Sequence, residues 1–394
     1  MACYRFRVPR VSPFTGLLFD TARVGPLHLV TSPPYDTIAE DQQRVLHALS
    51  PYNVVRLILG RDEPADHETN NKYTRASDLL RSWREEGALV TTGPAWFPYE
   101  MTFRYQGRQR RVRGFICEVE LEPWGGSIRP HERTMPAPIE DRLALLRTVR
   151  ANLSPVYALS RGPHPNLAAL LDGATRSDPA AKVTDQAGVE HRMWVSTDGS
   201  EIPSWLESDE LLIADGHHRY TVALAFRDEL RAQHGPGPWD RMMMLIVDAG
   251  TEDPPVLPIH RALMSGEPPD EGRPVRDLVE VLSELHDDEL TYGSVTLEDG
   301  RVIHRVDELK GDPPTVCALH EQVLAGVDDR LRFFPDAVAA EEAVRTGEAV
   351  AAYFLPPTRV DRIRSVIDHE RRLPQKSTYF WPKPRTGFVI RPFD

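Results

Sequence analysis

Cysteine is nearly absent from this sequence: Cys3, Cys117 and Cys317 are the only three in 394 residues, and they lie far apart. That number and spacing exclude a disulfide framework and a CxxC-type metal centre. Long apolar runs are missing too. No stretch approaches the ~18 residues that a membrane-spanning helix needs, and the opening MACYRFRVPRVSPF has no apolar core of the secretory kind. The expectation is a soluble protein of a reducing cytoplasm with no membrane partner. Positive charge is in short supply, with 47 Lys and Arg against 59 Asp and Glu, a net −12. Such a surface repels a polyanion on average, so nucleic acid is not an expected partner. The one dense basic run, RQRRVR at Arg108–Arg113, falls in an expected hairpin and reads as a solvated turn. Familiar signatures are lacking as well: no GxGxxG, no GxSxG elbow, no kinase HRD or DFG set, no HExxH.

What is present is a chain able to bury cores, 41% hydrophobic with aromatics spread throughout. Short apolar runs alternate with helical patterns, which predicts an α/β (mixed α+β) protein. Strands are expected at Asn53–Leu59, Leu211–Ala214, Met242–Val247 and Val350–Phe354. A hairpin is expected from Trp96–Tyr105 and Arg110–Leu121 around a Gln-Gly turn. The 3.6-residue spacing predicts helices over Asn71–Glu86, Ile139–Val149 (with Leu143 and Leu146 inward), Tyr220–Gln233, Val275–Leu285, Thr315–Leu324 and Val360–Arg371. The run EPPDEGRP at 267–274 marks a boundary between a region 1–268 and a C-terminal α/β region 274–394.

The densest chemistry comes directly after the apolar run Leu211-Leu-Ile-Ala214: Asp215-Gly216-His217-His218-Arg219, and then Val222, Phe226 and Leu230 at helical spacing. A strand entering a helix through glycine presents unpaired backbone N–H groups and partial positive charge to an anion. Arg219 adds a planar fork suited to phosphate, and His217 and His218 add donors. Asp215, at the strand end, is placed to hold Mg²⁺ or orient a hydroxyl. The plainer alternative makes Asp215 a cap, Gly216 a turn and the histidines surface groups. A closed zinc site is excluded, because adjacent histidines point apart and no second ligand pair lies at i+4.

Four other segments carry candidates. In Arg129-Pro-His-Glu-Arg-Thr134, Glu132 is the candidate general base and His131 its partner or a substrate-binding donor. Ser32-Pro-Pro-Tyr-Asp36 reads as a rigid turn in which Asp36 caps the next segment and is a candidate substrate contact. Arg261, after His260, is a third substrate-binding candidate. Lys376-Ser377-Thr378 echoes the end of a P-loop without its glycines, so a Walker motif is rejected, and a phosphate-binding loop stays open beside a packed aromatic strand.

Taken in order, SPFTGLLFD, SPPYD, NVVRLIL, RPHERT, DRLALLRTVRANLSP, IADGHHRYTVAL, LPIHRAL and LPQKSTYFWPKPRTGFVI resemble the successive blocks of the family known as domain of unknown function 1015. The likeness spans nearly the whole chain. His260, where threonine is expected, and Gln375 depart from the pattern. The segment from Leu211 to about Phe226 further resembles the nucleotide-handling motif of the ParB/sulfiredoxin superfamily, which includes free L-serine kinases. This second resemblance implies a ParB/sulfiredoxin-like nucleotide-binding core with insertions, ahead of the C-terminal companion. It implies that Asp215, Gly216, His217, His218 and Arg219 handle nucleotide phosphates, while a carboxylate elsewhere takes the acceptor proton. Glu132 is assigned that part from local chemistry alone. The expected function is a small-molecule kinase, with ATP (or ADP or CTP) as donor, Mg²⁺ on Asp215, and a serine-like or other small hydroxy compound as acceptor. Gly216, Arg219, Lys376, Ser377 and Thr378 are the expected nucleotide contacts. A metal-dependent phosphohydrolase and a non-catalytic ParB-like nucleotide-binding regulator are the alternatives. The oligomeric state stays open.

Overall fold

Alternating apolar residues build the hairpin at the heart of the larger sheet. Phe97–Tyr105 and Arg108–Glu120 pair antiparallel across Gln106-Gly107, both at positive φ (49° and 75°), as a tight two-residue hairpin turn requires. The computed structural model describes residues 9–132, 138–206, 209–268, 272–312, 314–369 and 371–394. Within these the protein is a mixed α/β molecule. No described helix is long and apolar enough to cross a membrane. The chain divides into two compact units. The first comprises Met1–Pro130, Met135–Asp253 and Pro382–Asp394, the second His131–Thr134 and Pro254–Trp381.

The first unit is organised on a nine-stranded sheet. Its path runs Ile128–Pro130, Leu211–Asp215, Val156–Ser160, Arg241–Asp248, Arg108–Glu120, Phe97–Tyr105, Glu190–Met193, Ala181–Thr184, with Val11–Ser12 added beside Arg108–Glu120. Two pairings are parallel, Leu211–Asp215 with Ile128–Pro130 and Arg241–Asp248 with Val156–Ser160. The central strands read as unbroken apolar runs because both faces are covered. Cys117, Ala158, Ile213 and Met244 share one core with Tyr220 and Ala223 of the helix His217–His234. A separate core gathers Leu17, Trp83, Val149 and Ile390.

The second unit holds a six-stranded antiparallel sheet in the order Arg273–Val275, Arg301–Glu308, Thr291–Glu298, Ala351–Phe354, His260–Leu263, Leu331–Phe334. Helices Leu278–Ser283 and Ala337–Arg345 bury Val281, Ala340 and Val344 against it. The strand His260–Leu263 pairs with both Leu331–Phe334 and Ala351–Phe354. The division at Asp253 therefore precedes the boundary expected at 268–274, and the last thirteen residues, Pro382–Asp394, return to the first unit.

Several local expectations are met closely. The helix Lys72–Glu85 is capped by Asn71, whose side chain accepts from the Tyr73 and Thr74 amides. Others are corrected. Asn53–Leu59 is not a strand: Val55–Ile58 is a helical turn, with Asn53 Oδ1 accepting from the Val55 amide at 3.0 Å. Burial of Val54, Val55 and Leu57 overrides the extended preference of β-branched residues. The helix expected from Val275 starts at Leu278, because Asp277 caps it by accepting from the Glu280 amide, and Val275 ends a strand. The basic run at Arg108–Arg113 is strand, not turn. Its last arginine is buried and pairs with Glu252 at 3.0 Å.

Candidate active site

The strand Leu211–Asp215 is buried throughout and ends on a carboxylate. Gly216 comes next at φ 95°, in the left-handed region, and the helix His217–His234 begins at once. A Cβ at Gly216 would also stand about 3.0 Å from the Arg219 guanidinium, so any other residue would both strain the backbone and crowd that side chain. Tyr220, Ala223, Phe226 and Leu230 anchor the helix by burial, which fixes the direction of its first turn.

Asp215 is the hub. One carboxylate oxygen takes Lys383 Nζ at 2.5 Å and the other takes Arg219 Nη2, while Arg219 Nη1 donates to the Pro155 carbonyl. Burial works to raise the Asp215 carboxyl, but Lys383 and Arg219 outweigh it and hold the group well below the usual carboxylate range. Asp36 lies 3.4 Å from the same lysine. It sits inside the turn Tyr35–Thr37 and faces Lys383, so it is not the cap the sequence suggested. Arg142 stacks over the Tyr35 ring at 4.3 Å and pairs with Asp141. Burial and then Asp36 push the Tyr35 hydroxyl upward. His217 is buried against Trp124 (centroids 6.5 Å apart, planes 23° apart), and His218 is half-buried.

Lys383 was not singled out in the sequence, where Lys376 seven residues earlier drew attention by preceding Ser-Thr. What delivers Lys383 is its neighbour Arg385. The Arg385 guanidinium donates to the Thr31 carbonyl at 3.0 Å, and its amide donates to the Tyr99 hydroxyl at 2.9 Å. The available signal was proline on both sides of Lys383, which stiffens a segment without revealing where it lands.

The remaining candidates gather in the second unit. His131 Nε2 lies 2.5 Å from Thr378 Oγ1, and the Ser377 amide donates to Glu132 at 3.4 Å. Arg261 Nη2 reaches Ser377 Oγ at 3.5 Å, its Nε reaches His320 at 3.2 Å, and its Nη1 donates to the Ile259 carbonyl. Burial pushes the Arg261 guanidinium down from its ordinary range, to about 9, which leaves it charged at neutral pH. Arg261 and His131 both have 0% exposure, and Ser377 has 4%. The substrate contacts expected of Arg261 and His131, and the phosphate contact expected of Ser377, therefore lack accessible surface. Lys376 is exposed, Thr378 and Glu132 are half-buried, and Arg133 and Thr134 lie outside the described residues.

The metal-holding part expected of Asp215 does not fit either. Both its oxygens are engaged by cations, and among the described residues no group of three His, Cys, Asp or Glu is placed to bind an ion.

No curated protein matches the sequence. Among solved structures the chain is similar to a conserved hypothetical protein from Pyrococcus furiosus, with 13% identity, TM-score 0.36, and coverage of 70% of this chain and 94% of that one. It is also similar to a free serine kinase in complex with AMP (14% identity, TM-score 0.37, 71% of this chain and 91% of that one). A third likeness is to C-terminally truncated SbnI from Staphylococcus aureus (11% identity, TM-score 0.33, 66% and 81%). All three are distant. The sequence itself matches the family described as protein of unknown function, DUF1015, over residues 11–313. Most of the chain lies within that match, and the protein belongs to the DUF1015 family.

Proposed function

We propose that the protein is a nucleotide-dependent phosphotransferase acting on the hydroxyl of a small molecule, a serine-like amino acid or other small hydroxy compound, with the phosphates bound at the mouth of the helix His217–His234. One observation carries the reading. Asp215 holds Lys383 and Arg219 together beside the left-handed Gly216 that opens that helix. The first turn of a helix supplies backbone N–H groups and partial positive charge to phosphate oxygens. Two fixed cations beside it supply charge neutralisation, which is most of what phosphoryl transfer asks of a protein. Because Asp215 locks both cations in advance, little reorganisation is needed when charge develops. His218, half-buried in the same turn, is a further candidate donor. Asp215 acts through Lys383 and Arg219, as a positioning residue. Glu132 remains the candidate base for the acceptor hydroxyl and is tested by itself, with Glu132→Gln expected to lower turnover more than nucleotide binding.

The decisive experiment follows ³¹P NMR of the protein with Mg²⁺, each of ATP, ADP and CTP, and a panel of hydroxyl-bearing amino acids and small hydroxy acids. A new phosphomonoester resonance that requires one acceptor, and that disappears with Lys383→Ala, is the expected result. Unchanged donors across the whole panel overturn the proposal. Donor loss with only inorganic phosphate released replaces it with a hydrolase.

A further inference from the structure

Beside the Asp215 cluster the first unit contains a cavity of about 70 Å³. Leu145 and Leu146 contribute from the helix Pro138–Val149, Val222 from the helix His217–His234, and Met242 from the sheet. Two further lining residues, Asn152 and Ser154, have their side-chain oxygens engaged. Asn152 Oδ1 accepts from the Met243 amide at 3.0 Å, and Ser154 Oγ lies 2.9 Å from Thr386 Oγ1. The charged groups in the lining are the guanidiniums of Arg142 and Arg219. Arg219 uses Nη1 and Nη2 on Pro155 and Asp215, and its Nε makes no hydrogen bond among the described residues. A guanidinium has five donors in a fixed fork, so each arginine can keep its protein partners and still meet an oxyanion.

The chamber is therefore apolar along its walls and cationic beside the helix mouth. Water gains little in such a space, because its hydrogen bonds have few partners there. We infer that the ligand of this site is a small organic phosphate whose phosphate meets Arg219 and Arg142 and whose short apolar arm fills the cavity. This rests on the phosphate-site reading above and narrows its phosphorylated product, leaving the nucleotide donor as proposed, to that of a small hydroxy compound with a compact apolar group in place of a serine-like one. A cavity of ~150 Å³ holds the six carbons of benzene, so by proportion this one takes an arm of about three carbons. Carbons beyond that number gain no further burial in the cavity.

The test is calorimetric titration of the full chain with inorganic phosphate and with methyl-, ethyl-, propyl- and pentylphosphonate. Affinity should rise about fourfold per added carbon, the factor for burying one methylene, as far as propyl, and then stop or fall at pentyl. Leu146→Phe, which fills the chamber, should remove the gain, so that propylphosphonate binds no better than methylphosphonate. Leu146→Ala, which enlarges it, should move the optimum to a longer arm. Equal affinity for phosphate and every phosphonate overturns the arm pocket and leaves the phosphate site standing. A length dependence that ignores both Leu146 variants also overturns it, since the arm then lies elsewhere. Absence of binding by any member, phosphate included, overturns both readings.

Discussion

In the first unit Arg219 lies against Asp215, whose other oxygen takes Lys383, so each enclosed charge meets an opposite one. In the second unit Arg261, more deeply enclosed, donates to the Ile259 carbonyl, the His320 ring and the Ser377 hydroxyl, none of them ionised. The nearby histidines stay neutral because burial, and next the charge of Arg261, pushes both His260 and His320 down to about 4. A cation held by a carboxylate can share its remaining donors with an incoming anion. A completely buried cation whose hydrogen bonds go to neutral neighbours ties together the strands and loops it touches. The difference separates a candidate site from a structural centre, although arginine is the central residue in both.

The comparison breaks most visibly at Asp215. Asp215→Ala leaves Lys383 and Arg219 facing each other without their counter-charge, and unfolding free energy should fall by about 3–5 kcal/mol, the usual cost of orphaning one side of a buried ion pair. Urea denaturation reads this directly, and a loss under ~0.5 kcal/mol would show that the cations find another partner. The fold is thus not indifferent to Asp215, even though the residue stands at a helix mouth. Lys383→Ala should cost less, about 1–3 kcal/mol, because Arg219 still meets Asp215. It should nevertheless weaken phosphate binding at least tenfold in a calorimetric titration.

A pH series sharpens the second side. Between the ordinary histidine value of 6.5 and the value of about 4 in the fold, the unfolded chain binds protons that His260 and His320 refuse. Their contribution is therefore complete above pH 6.5 and is lost as the pH falls toward 4. His191 and His47 in the first unit are also lowered, chiefly by burial, and add a slope of the same sign. Asp215, whose folded carboxyl lies below its unfolded carboxylate value, keeps its contribution until the pH drops below about 4. Thermal midpoints from pH 7 to 4 should fall for the native protein and fall less for His320→Gln. Parallel curves would remove His320 from the account.

Arg261→Met should lose only about 1 kcal/mol, because the desolvation of a buried charge is relieved as the hydrogen bonds go. A loss matching that of Asp215→Ala in the same urea assay would erase the contrast between the two centres. The smallest effect belongs to Lys376→Ala. This lysine is exposed, and its removal should change stability by less than about 0.5 kcal/mol and leave phosphate binding as it was.

The sequence was informative where chemistry is local. Asn71 announces its helix because an amide side chain caps the two N–H groups just beyond it. Gly216 marks the strand-to-helix turn because glycine enters the left-handed region without strain and leaves room for Arg219. Asn53–Leu59 was misleading because its valines serve a buried turn held by Asn53, a contact that a propensity scale does not contain. Lys383, one of the two lysines in the run from Pro374 to Lys383, has no role assigned from the sequence for a deeper reason. Its partner Asp215 lies 168 positions away, and nothing near the lysine records that separation. Arg261 and His131 draw a functional reading by residue type, and nothing in the sequence records that both are completely buried.

The return of Pro382–Asp394 to the first unit has a consequence for biosynthesis. The other residues described around Asp215 have been synthesised by the time Asp253 is added, yet Lys383 is made only after the whole second unit. At ordinary elongation rates that interval is on the order of ten seconds. During it the nascent chain carries Asp215 and Arg219 without their third member, so the charged centre is completed only after the second unit has been made.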